Sequence, residues 1–508
     1  MKYLYGLAIL CSLVLWSSCR NDFETVASSG NLEFSKDTVY LDTIFSNIGS
    51  STYNLKVYNR SDEDINIPNL RLSQGEASNY RLNVDGMPGK VFENVQILAK
   101  DSIFIFIETT LDINSLPTNA PDFLYTDQLV FDGGGNEQKV ELVTLVKDAI
   151  FLFPEKYADG TTETLTLGTG DAAVEVKGFF LEDDELTFTN EKPYVIYGYA
   201  AVPGNKTLTV EAGARVHFHN GSGIIVANNG SIKSLGLPSS DPEAQENEVI
   251  FEGDRLEPGF AEISGQWLTI WLTEGSVANE FRHTTIKNST VGILVDKSPL
   301  TLSNVQIYNS TNIGLLSRTG SIDGENMVIN NSGQSSLAIQ LGGSYEFRHC
   351  TFANYWTNGF RSFPSVSIDN VFETEENIIV ADLVKADFKN CIIYGNERRE
   401  LSLFKHEQGA FIFNFENCLL RFEDPSGEFG DNPLYDFNNT ALYTAAKFNL
   451  DPVFQNTEMN NFNIESGTSG ADGIGNPAFG PTEDLNGTPR DTSNPDAGAY
   501  EATIFPEG

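Results

Sequence analysis

From about Leu32 to Lys147, hydrophobic and polar residues alternate in short runs, which is the spacing of half-buried β-strands. Turn clusters such as NRSDED and DGGGNE separate the runs, and no helix-period segment interrupts them. The pattern predicts an antiparallel sandwich whose strands include TVYLDTIF, STYNLKVYN, SIFIFIETTL, QLVFDGG and VELVTLV.

From about Tyr197 to Asp424 the pattern becomes a repeat of about 22 residues, with successive offsets of 21, 22, 23, 21, 20 and 27. The repeats begin with a polar residue before an apolar strand, at His283, Asn304, Asn326, His349, Asn370, Asn390 and Asn417. Such a period without helical spacing is typical of a solenoid, and asparagine suits its bends because it tolerates the left-handed backbone region. We therefore predict a right-handed parallel β-helix in which these His and Asn residues stack as a ladder.

The opening of this region, LTVEAGARVHF followed by GIIVANNGSI, VIFEG and GQWLTI, resembles bacterial right-handed β-helix proteins of the pectate-lyase-like superfold. The earlier segments NLKVYNRSDEDINI, LAKDSIFIFIETT and QLVFDGG look like the immunoglobulin-like modules of bacterial surface proteins. The resemblance implies an all-β chain with an immunoglobulin-like β-sandwich before the β-helix. The β-helix scaffold hosts lyases, hydrolases, isomerases, adhesins and spacers, so fold alone does not select a function.

The expected domains are the sandwich at 32–150, a connecting β segment at 151–196, the β-helix at 197–424 and a C-terminal capping segment at 425–508. The end of the chain, DLNGTPRDTSNPDAGAYE, resembles the segment that closes many bacterial surface β-helix proteins. Such a segment would cover the open end of a solenoid.

Two uses of the charged residues in this last segment are open. Arg490 is expected to pair with Asp496 or Glu501, which would be a structural role. The alternative is a calcium site built from Asp484, Asn486 and Asp496, although the spacing fits no EF-hand loop. Calcium is the one cofactor that this sequence suggests.

The N-terminus has the layout of a signal peptide, with one early lysine, an apolar run from Leu4 to Trp16 and small residues before Cys19. Ser17-Ser18-Cys19 resembles the lipobox of bacterial lipoproteins, and the RNDFE that follows resembles the export tags of Bacteroidetes surface lipoproteins. The resemblance implies removal of residues 1–18, lipidation of Cys19, including a palmitate-like acyl chain, and a tether at 19–31. It places the protein in the outer membrane, facing outwards; a plain secretory signal is the alternative.

The chain is strongly acidic, with 32 Lys and Arg against 70 Asp and Glu and a formal charge of -38. This balance argues against nucleic-acid binding and against electrostatic attachment to anionic lipid. Three cysteines, Cys350, Cys391 and Cys418, follow ladder residues in a column that is otherwise small or apolar. We expect them to be buried thiols, with a Cys391–Cys418 disulfide as the alternative.

Catalysis on a β-helix requires acid and base groups that project from neighbouring strands into one groove. Taking Gly292, Gly314, Ala338 and Gly359 as equivalent positions predicts outward columns that contain Asp296, Arg318 and Arg361. One aspartate with two arginines about 10 Å apart is a weak set for a hydrolase or a lyase.

A few other residues are candidates for sugar or metal binding. Tyr355 and Trp356 could stack on sugar rings if they lie in a turn, and His217 and His219 share one side of a strand, where they could bind a metal. The charged pairs Glu280–Arg282 and Glu346–Arg348 and the loop Lys405–Glu407 are expected to be solvated surface groups.

The sequence therefore favours a non-catalytic binding or adhesion protein whose partners are the membrane, through its anchor, and polysaccharide or other cell-surface proteins. The second hypothesis is a polysaccharide lyase or glycoside hydrolase that acts on the outer face of the β-helix. A structural spacer is the third.

Overall fold

The computed structural model describes residues 25–506, except 117–119, 134, 169–172, 242–243 and 375–376. The expected signal peptide and the lipidation site at Cys19 lie outside the described residues. The chain divides into two compact units, with the boundary between Lys147 and Asp148. Strands make up nearly all of the regular structure, with three-residue 3-10 helices at Gly75–Ala77, Ile113–Ser115, Asp183–Glu185, Pro258–Phe260, Pro433–Tyr435 and Thr457–Met459.

The first unit contains two sheets. The six-stranded sheet holds β1 (Val26–Ala27), β3 (Thr38–Phe45), β5 (Ile65–Leu72), β8 (Val91–Ile97), β10 (Asp122–Asp132) and β11 (Glu137–Lys147). The five-stranded sheet is antiparallel and holds β2 (Glu33–Phe34), β4 (Tyr53–Tyr58), β6 (Tyr80–Val84), β7 (Met87–Gly89) and β9 (Ser102–Thr109).

Alternation in the sequence explains the packing of this unit. In β9, Ile103, Ile105 and Ile107 are buried, whereas Phe104 and Phe106 between them are exposed. Successive side chains of a strand point to opposite faces, so one face of β9 joins the core and the other faces solvent. The predicted strands are confirmed, although β10 begins earlier than the QLVFDGG segment.

The second unit is dominated by a sheet of eighteen strands that pair in parallel. They are β12 (Ile150–Leu152), β15 (Thr187–Phe188), β16 (Tyr194–Ile196), β18 (Thr207–Glu211), β19 (Arg215–Phe218), β21 (Ser231–Leu235), β22 (Val249–Gly253), β24 (Asn279–Lys287), β26 (Pro299–Ser310), β28 (Ser321–Ser332), β30 (Gly343–Arg348), β31 (Thr351–Asn354), β35 (Leu383–Lys389), β36 (Ile392–Gly395), β38 (Asn414–Glu416), β39 (Leu419–Leu420), β40 (Tyr443–Thr444) and β41 (Lys447–Phe448).

A ten-stranded sheet contains the strands that lie between these in sequence. Its strands pair in parallel, except for the first pair. Its members are β13 (Thr164–Leu167), β14 (Val174–Phe180), β17 (Tyr199–Val202), β20 (Gly223–Val226), β23 (Ile270–Leu272), β25 (Val291–Asp296), β27 (Ile313–Arg318), β29 (Leu337–Gln340), β32 (Val366–Asp369) and β37 (Leu401–Phe404). Two antiparallel hairpins complete the set: β33 (Val371–Glu373) with β34 (Ile378–Val380), and β42 (Phe454–Asn456) with β43 (Asn461–Ile464).

The repeat in the sequence corresponds to the register in which the strands of these sheets pair. Thr284 pairs with Val305, and Val305 pairs with Met327, so equivalent residues of successive repeats are hydrogen-bonded neighbours. The chain alternates between the two sheets, and apolar side chains from both form one continuous core. The prediction of an all-β chain with large parallel sheets is confirmed.

The segment predicted as a connector, 151–196, belongs to these sheets. Ile150 at the start of β12 pairs in parallel with Tyr194, and β13 and β14 form the first pair of the ten-stranded sheet. At the other end, β40 and β41 extend the eighteen-stranded sheet beyond residue 424.

The ladder residues share one backbone conformation. Their φ angles are positive, between 40° and 55°, at His283, Asn304, Asn326, His349, Asn390 and Asn417. The side chains also contact each other along the stack: Asn326 Nδ2 donates to Asn304 Oδ1 at 2.9 Å. Asparagine therefore recurs because the bend requires left-handed backbone and the neighbouring repeats supply hydrogen-bond partners.

One predicted member of the ladder is wrong. Asn370 lies between β32 and the β33–β34 hairpin, and its amide donates to His406 O and Ala410 O. The strand β31, which follows His349, pairs directly with β36, which follows Asn390. The NVF segment begins a hairpin inserted into one long repeat, and the two offsets that were counted there span a single turn of the ladder.

The thiols follow the prediction for buried groups. Cys350, Cys391 and Cys418 are free and fully buried. Each thiol lies within hydrogen-bond distance of the carbonyl oxygen two residues before it, at 3.3 Å. They act as small apolar side chains within the core.

Candidate functional site

Asp296 and Arg318 lie side by side on the outer face of the ten-stranded sheet, as the sequence predicts. Their strands pair so that the two residues are direct neighbours, and an Arg318 nitrogen lies 3.8 Å from Asp296 Oδ1. Asp296 also accepts a hydrogen bond of 2.8 Å from Trp271 Nε1. This outer column offers one carboxylate that is already occupied, and no second acid lies beside it in the register of the described strands.

Arg361 does not belong to that column, which corrects the prediction. Residues 357–365 form a loop between β31 and β32, and the strand residue that pairs with Ala338 is Ser367. The prediction failed for Arg361 because it took Gly359, which lies in this loop, as a strand position; Ala338 was also misaligned, since it pairs with Leu316 and not with Gly314. Because the loop contains no strand, the repeat spacing in the sequence did not reveal the insertion.

Arg361 is instead buried beneath the surface as part of an ion pair. Its Nη2 lies 2.7 Å from Glu400 Oε1 and its Nη1 lies 2.9 Å from Glu400 Oε2, a bidentate arrangement. The side chains are 1% and 0% exposed. The same two terminal nitrogens also donate to Phe363 O at 2.6 Å and Asn354 O at 2.8 Å. The pair therefore fixes the loop against the neighbouring strands.

Above this pair lies a cleft of about 660 Å³, which we call the arginine cleft. Its walls come from the 357–365 loop, from the turn between β36 and β37, and from the segment after β39. The lining residues are Phe360, Arg361, Ser362, Pro364, Asn396, Glu397, Arg398, Arg399, Leu401, Ser402, Glu423, Pro425, Phe429 and Tyr435. A volume of this size lies within the usual range of ligand sites, about 300–1,000 Å³.

Two side chains of the arginine cleft stand out because nothing within the described part of the chain uses them. Phe360 is 90% exposed although its loop is fixed by the Arg361–Glu400 pair. Arg398 is exposed and has no ion-pair partner among the described residues, whereas Arg399 pairs with Glu428 at 2.9 Å and lies over the Phe429 ring. A rigidly held aromatic face and a free guanidinium are groups that can bind a ligand.

Tyr355 and Trp356 are not available as sugar platforms, contrary to the sequence prediction. Trp356 is 9% exposed, and Asn396 donates to its carbonyl oxygen at 3.3 Å. The Tyr355 ring packs against Phe454 and Phe462, with centroid distances of 6.2 Å in both cases. The C-terminal segment covers this turn, and the exposed aromatic residues of the following loop are Phe360 and, to a lesser extent, Phe363.

A second polar surface, which we call the ionic face, lies on the outer side of the eighteen-stranded sheet. Strand pairing aligns Asp323 with Glu346 and Glu346 with Asp387 in one column, and Glu325 with Arg348 in the next. Arg348 contacts three carboxylates there, at 2.7 Å from Asp323, 3.1 Å from Glu325 and 3.2 Å from Glu346. The expectation of separate surface pairs missed this cluster, because the residues come from three repeats.

The Glu346 carboxylate at the centre of the ionic face is held in its charged form. Burial raises the pKa of Glu346, but hydrogen bonds from Lys385 and Lys389 outweigh burial and bring the pKa to about 2. A carboxyl group that holds no proton at neutral pH cannot act as a general acid. The ionic face resembles a compensated charge network more than an acid and base pair.

Two of the three proposed calcium ligands, Asp484 and Asp496, are occupied by the chain itself. Asp484 accepts backbone N–H groups of Asn486, Thr488 and Glu501 at 2.7–2.9 Å. Asp496 accepts those of Gly473 and Ala502, both at 2.6 Å. These carboxylates shape turns, and Arg490 pairs with Glu501 at 3.0 Å.

His217 in β19 and His219, one residue after the end of β19, point their nitrogens at different acceptors. His217 Nδ1 lies 3.1 Å from Gly253 O, and His219 Nδ1 lies 2.7 Å from Asp254 Oδ2. Across residues 25–506, outside the gaps given above, no group of three or more His, Cys, Asp or Glu is arranged to hold a metal ion. Within the same residues, no helix has the length and apolar character needed to cross a membrane.

No family model and no curated protein matches this sequence. Among solved structures, similarity is found to a family 123 glycoside hydrolase from Clostridium perfringens that hydrolyses glycolipid glycans, at 10% identity over 24% of this chain and 28% of that chain, with a TM-score of 0.17. The chain thus spans less than a third of that protein.

Two further similarities are to catalytic regions of family 87 α-1,3-glucanases. One, from Streptomyces thermodiastaticus, shows 11% identity over 72% of this chain and 83% of that chain, with a TM-score of 0.19. The other, in complex with tetrasaccharides, shows 10% identity over 78% and 91%, with a TM-score of 0.15. Scores this low assign neither fold nor activity, so the function must be argued from the site.

Proposed function

We propose that the protein is a non-catalytic surface lipoprotein that binds polysaccharide through the arginine cleft. The single observation that carries the proposal is Phe360, a fully presented aromatic ring on a loop that a buried ion pair holds in place. An exposed ring of this kind gains free energy when a flat apolar face, such as that of a pyranose, covers it. The fixed loop reduces the entropy that binding would cost.

The polar groups around Phe360 suit the hydroxyl groups of a sugar. Arg398 supplies up to five N–H donors, and Ser362 and Ser402 supply hydroxyl groups. Two carboxylates line the cleft, Glu397 and Glu423; Glu423 lies 3.5 Å from Arg421, and Glu400 is buried under Arg361. Binding without turnover is the function that these contacts favour.

The proposal includes the larger architecture and the location. The two parallel sheets of the second unit are the faces of a right-handed β-helix, and the first unit is an immunoglobulin-like spacer. Lipidation of Cys19 anchors the protein in the outer membrane with its domains outside. Mass spectrometry of the mature N-terminus tests the anchor: diacylglyceryl and acyl chains are expected on Cys19, and a Cys19→Ser variant should be released into the soluble fraction.

A glycan-array screen of the wild type, run beside a product analysis on every glycan that binds, tests the function. We expect binding to one or more polysaccharides with no shortening of the chain. Phe360→Ala should reduce the signal by at least tenfold, and Arg398→Ala should reduce it as well. Phe372→Ala, which removes a half-exposed ring outside the cleft, is the control and should bind like the wild type.

Other results would replace the proposal. Absence of binding to all glycans would favour a spacer. Depolymerisation of a bound glycan would establish an enzyme, and the ionic face is the place to look, since Lys385 and Arg348 lie among carboxylates there as a lyase requires. In that case Lys385→Ala should abolish product formation while Phe360→Ala should not.

A further inference from the structure

A pocket of about 560 Å³ lies between the His/Asn ladder and the C-terminal segment. We call it the ladder pocket. His283 and Asn304 come from the ladder, Glu248 precedes β22, and Asn463, Glu483 and Asn486 come from the C-terminal segment. The pocket is separate from the arginine cleft, with which it shares no lining residue.

A chain of hydrogen bonds sets the polarity of this pocket. Buried Arg490 donates to Asn326 Oδ1 at 2.9 Å, which fixes the orientation of that amide. Asn326 Nδ2 must then donate onwards, and it does so to Asn304 Oδ1 at 2.9 Å. Asn304 Nδ2 donates in turn to His283 Nε2, at 3.3 Å. The imidazole therefore accepts at Nε2 and carries its proton at Nδ1.

His283 remains a neutral donor under ordinary conditions. Burial lowers its pKa, and the nearby charge of Arg282 lowers it further. Its counterpart His349, in the second copy of the EFRH sequence, is fully buried beneath the C-terminal segment. The two copies therefore differ in exposure: the His349 side chain is fully buried, whereas the His283 side chain is partly exposed where it lines the ladder pocket.

Acceptors complement this donor across the pocket. Glu248 Oε2 accepts from Gln245 at 3.1 Å, and the Thr285 hydroxyl group also donates to this carboxylate, whose remaining lone pairs can accept from a ligand. Asn486 Nδ2 donates to Asn463 Oδ1 at 3.0 Å, which leaves Asn486 Oδ1 as an acceptor. Neither Lys nor Arg lines the pocket, and its ionisable groups are acidic apart from the imidazole. An anion would meet like charge there, whereas hydroxyl groups both donate and accept.

We propose that the ladder pocket is a second binding site, specific for a small neutral sugar whose hydroxyl groups bridge His283 and Glu248. This site goes beyond the binding proposed for the arginine cleft and does not depend on it. Its volume falls within the usual range for small-molecule sites, about 300–1,000 Å³.

Saturation-transfer NMR with a panel of neutral mono- and disaccharides, and with glucosamine and glucuronate as charged probes, tests the proposal. The decisive variant is His283→Asn, because asparagine occupies the same bend in other repeats and keeps the left-handed backbone. We expect a neutral sugar to bind the wild type and to bind His283→Asn about tenfold more weakly, which is the loss of one good hydrogen bond. Glu248→Gln should weaken binding as well.

Two controls locate the site. Phe360→Ala, which alters the arginine cleft, should leave this binding unchanged, so failure here is distinct from failure of the cleft proposal. Asn390→His, which places a second imidazole in the covered part of the ladder, should also bind like the wild type. The proposal is overturned if no neutral sugar binds, if His283→Asn and Glu248→Gln both bind normally, or if glucosamine or glucuronate binds in preference to all neutral sugars.

Discussion

Arg361 and Arg348 both contact carboxylates in the second unit, but one is buried and the other lies on a sheet surface. The Arg361 side chain is 1% exposed and forms a bidentate pair with Glu400. The Arg348 side chain is 20% exposed and shares its charge among Asp323, Glu325 and Glu346. The buried arginine positions a loop, whereas the surface arginine relieves repulsion between carboxylates of neighbouring repeats.

The carboxylates of the two clusters show what burial changes. Burial raises the pKa of Glu400 above its ordinary value, against the hydrogen bond and the charge of Arg361. In Glu346 burial is outweighed by Lys385 and Lys389, and the pKa falls to about 2. Neither group is a usable general acid, because Glu400 is inaccessible and Glu346 is permanently ionised. The comparison supports binding rather than catalysis.

The largest expected effect is on the buried cluster. Arg361→Ala leaves the Glu400 carboxylate buried and unpaired, which should lower the free energy of unfolding by about 3–5 kcal/mol. Urea denaturation of the two proteins measures the difference. A double variant with leucine at both positions should recover much of the loss, because it removes the unpaired charge. A loss below about 1 kcal/mol for Arg361→Ala would contradict the positioning role.

The same change on the surface should cost less. Arg348→Ala should lower the free energy of unfolding by about 1 kcal/mol, because solvent screens the remaining carboxylates. The corresponding residue of the other EFRH copy, Arg282, contacts Glu280 alone at 3.2 Å, so Arg282→Ala should have almost no effect. If both variants lost as much as Arg361→Ala, the distinction between the two clusters would fail.

Acidification should reveal the surface network through Glu346. Its pKa is lowered from 4.5 to about 2 in the folded protein, so its contribution is fully present above about pH 4.5. That contribution is lost as the pH falls from about 4.5 to about 2, since the unfolded chain takes up the proton first. Unfolding curves of the wild type and Glu346→Gln should converge across this window, and parallel curves would refute the assignment.

The smallest effect on stability is expected at the most exposed ring. Phe360→Ala should change the free energy of unfolding by no more than about 0.5 kcal/mol, because the side chain contributes almost nothing to the core. A thermal unfolding scan checks this. A large loss of stability would mean that Phe360 packs against the protein and is not presented for a ligand.

Much of the fold could be predicted because the repeat is a local signal. The positive φ at Asn304 and Asn326 and the burial of Cys391 follow from residue types that recur at one position of each repeat. The prediction failed at Asn370 because the loop after β31 and the β33–β34 hairpin together lengthen one turn of the ladder to nearly two repeats. Spacing alone cannot distinguish a further turn of the ladder from a hairpin that leaves the sheet.

The site was less predictable because it depends on contacts between distant segments. Arg361 was a candidate from the sequence, but its role is to fix the loop. The better candidate for ligand binding is the neighbouring residue, Phe360. No local sequence pattern predicts that Glu400 lies beneath the loop, because Glu400 and Arg361 are 39 residues apart in sequence. The ionic face required the register of three repeats, and the covering of Trp356 required the position of the C-terminal segment.

The most direct test of the central claim is a calorimetric titration of the best polysaccharide ligand into the wild type, Phe360→Ala and Phe372→Ala. The account predicts that the wild type and Phe372→Ala bind equally, that Phe360→Ala binds at least tenfold more weakly, and that the recovered glycan keeps its length. Equal affinity of all three proteins, or a shortened glycan, would contradict it.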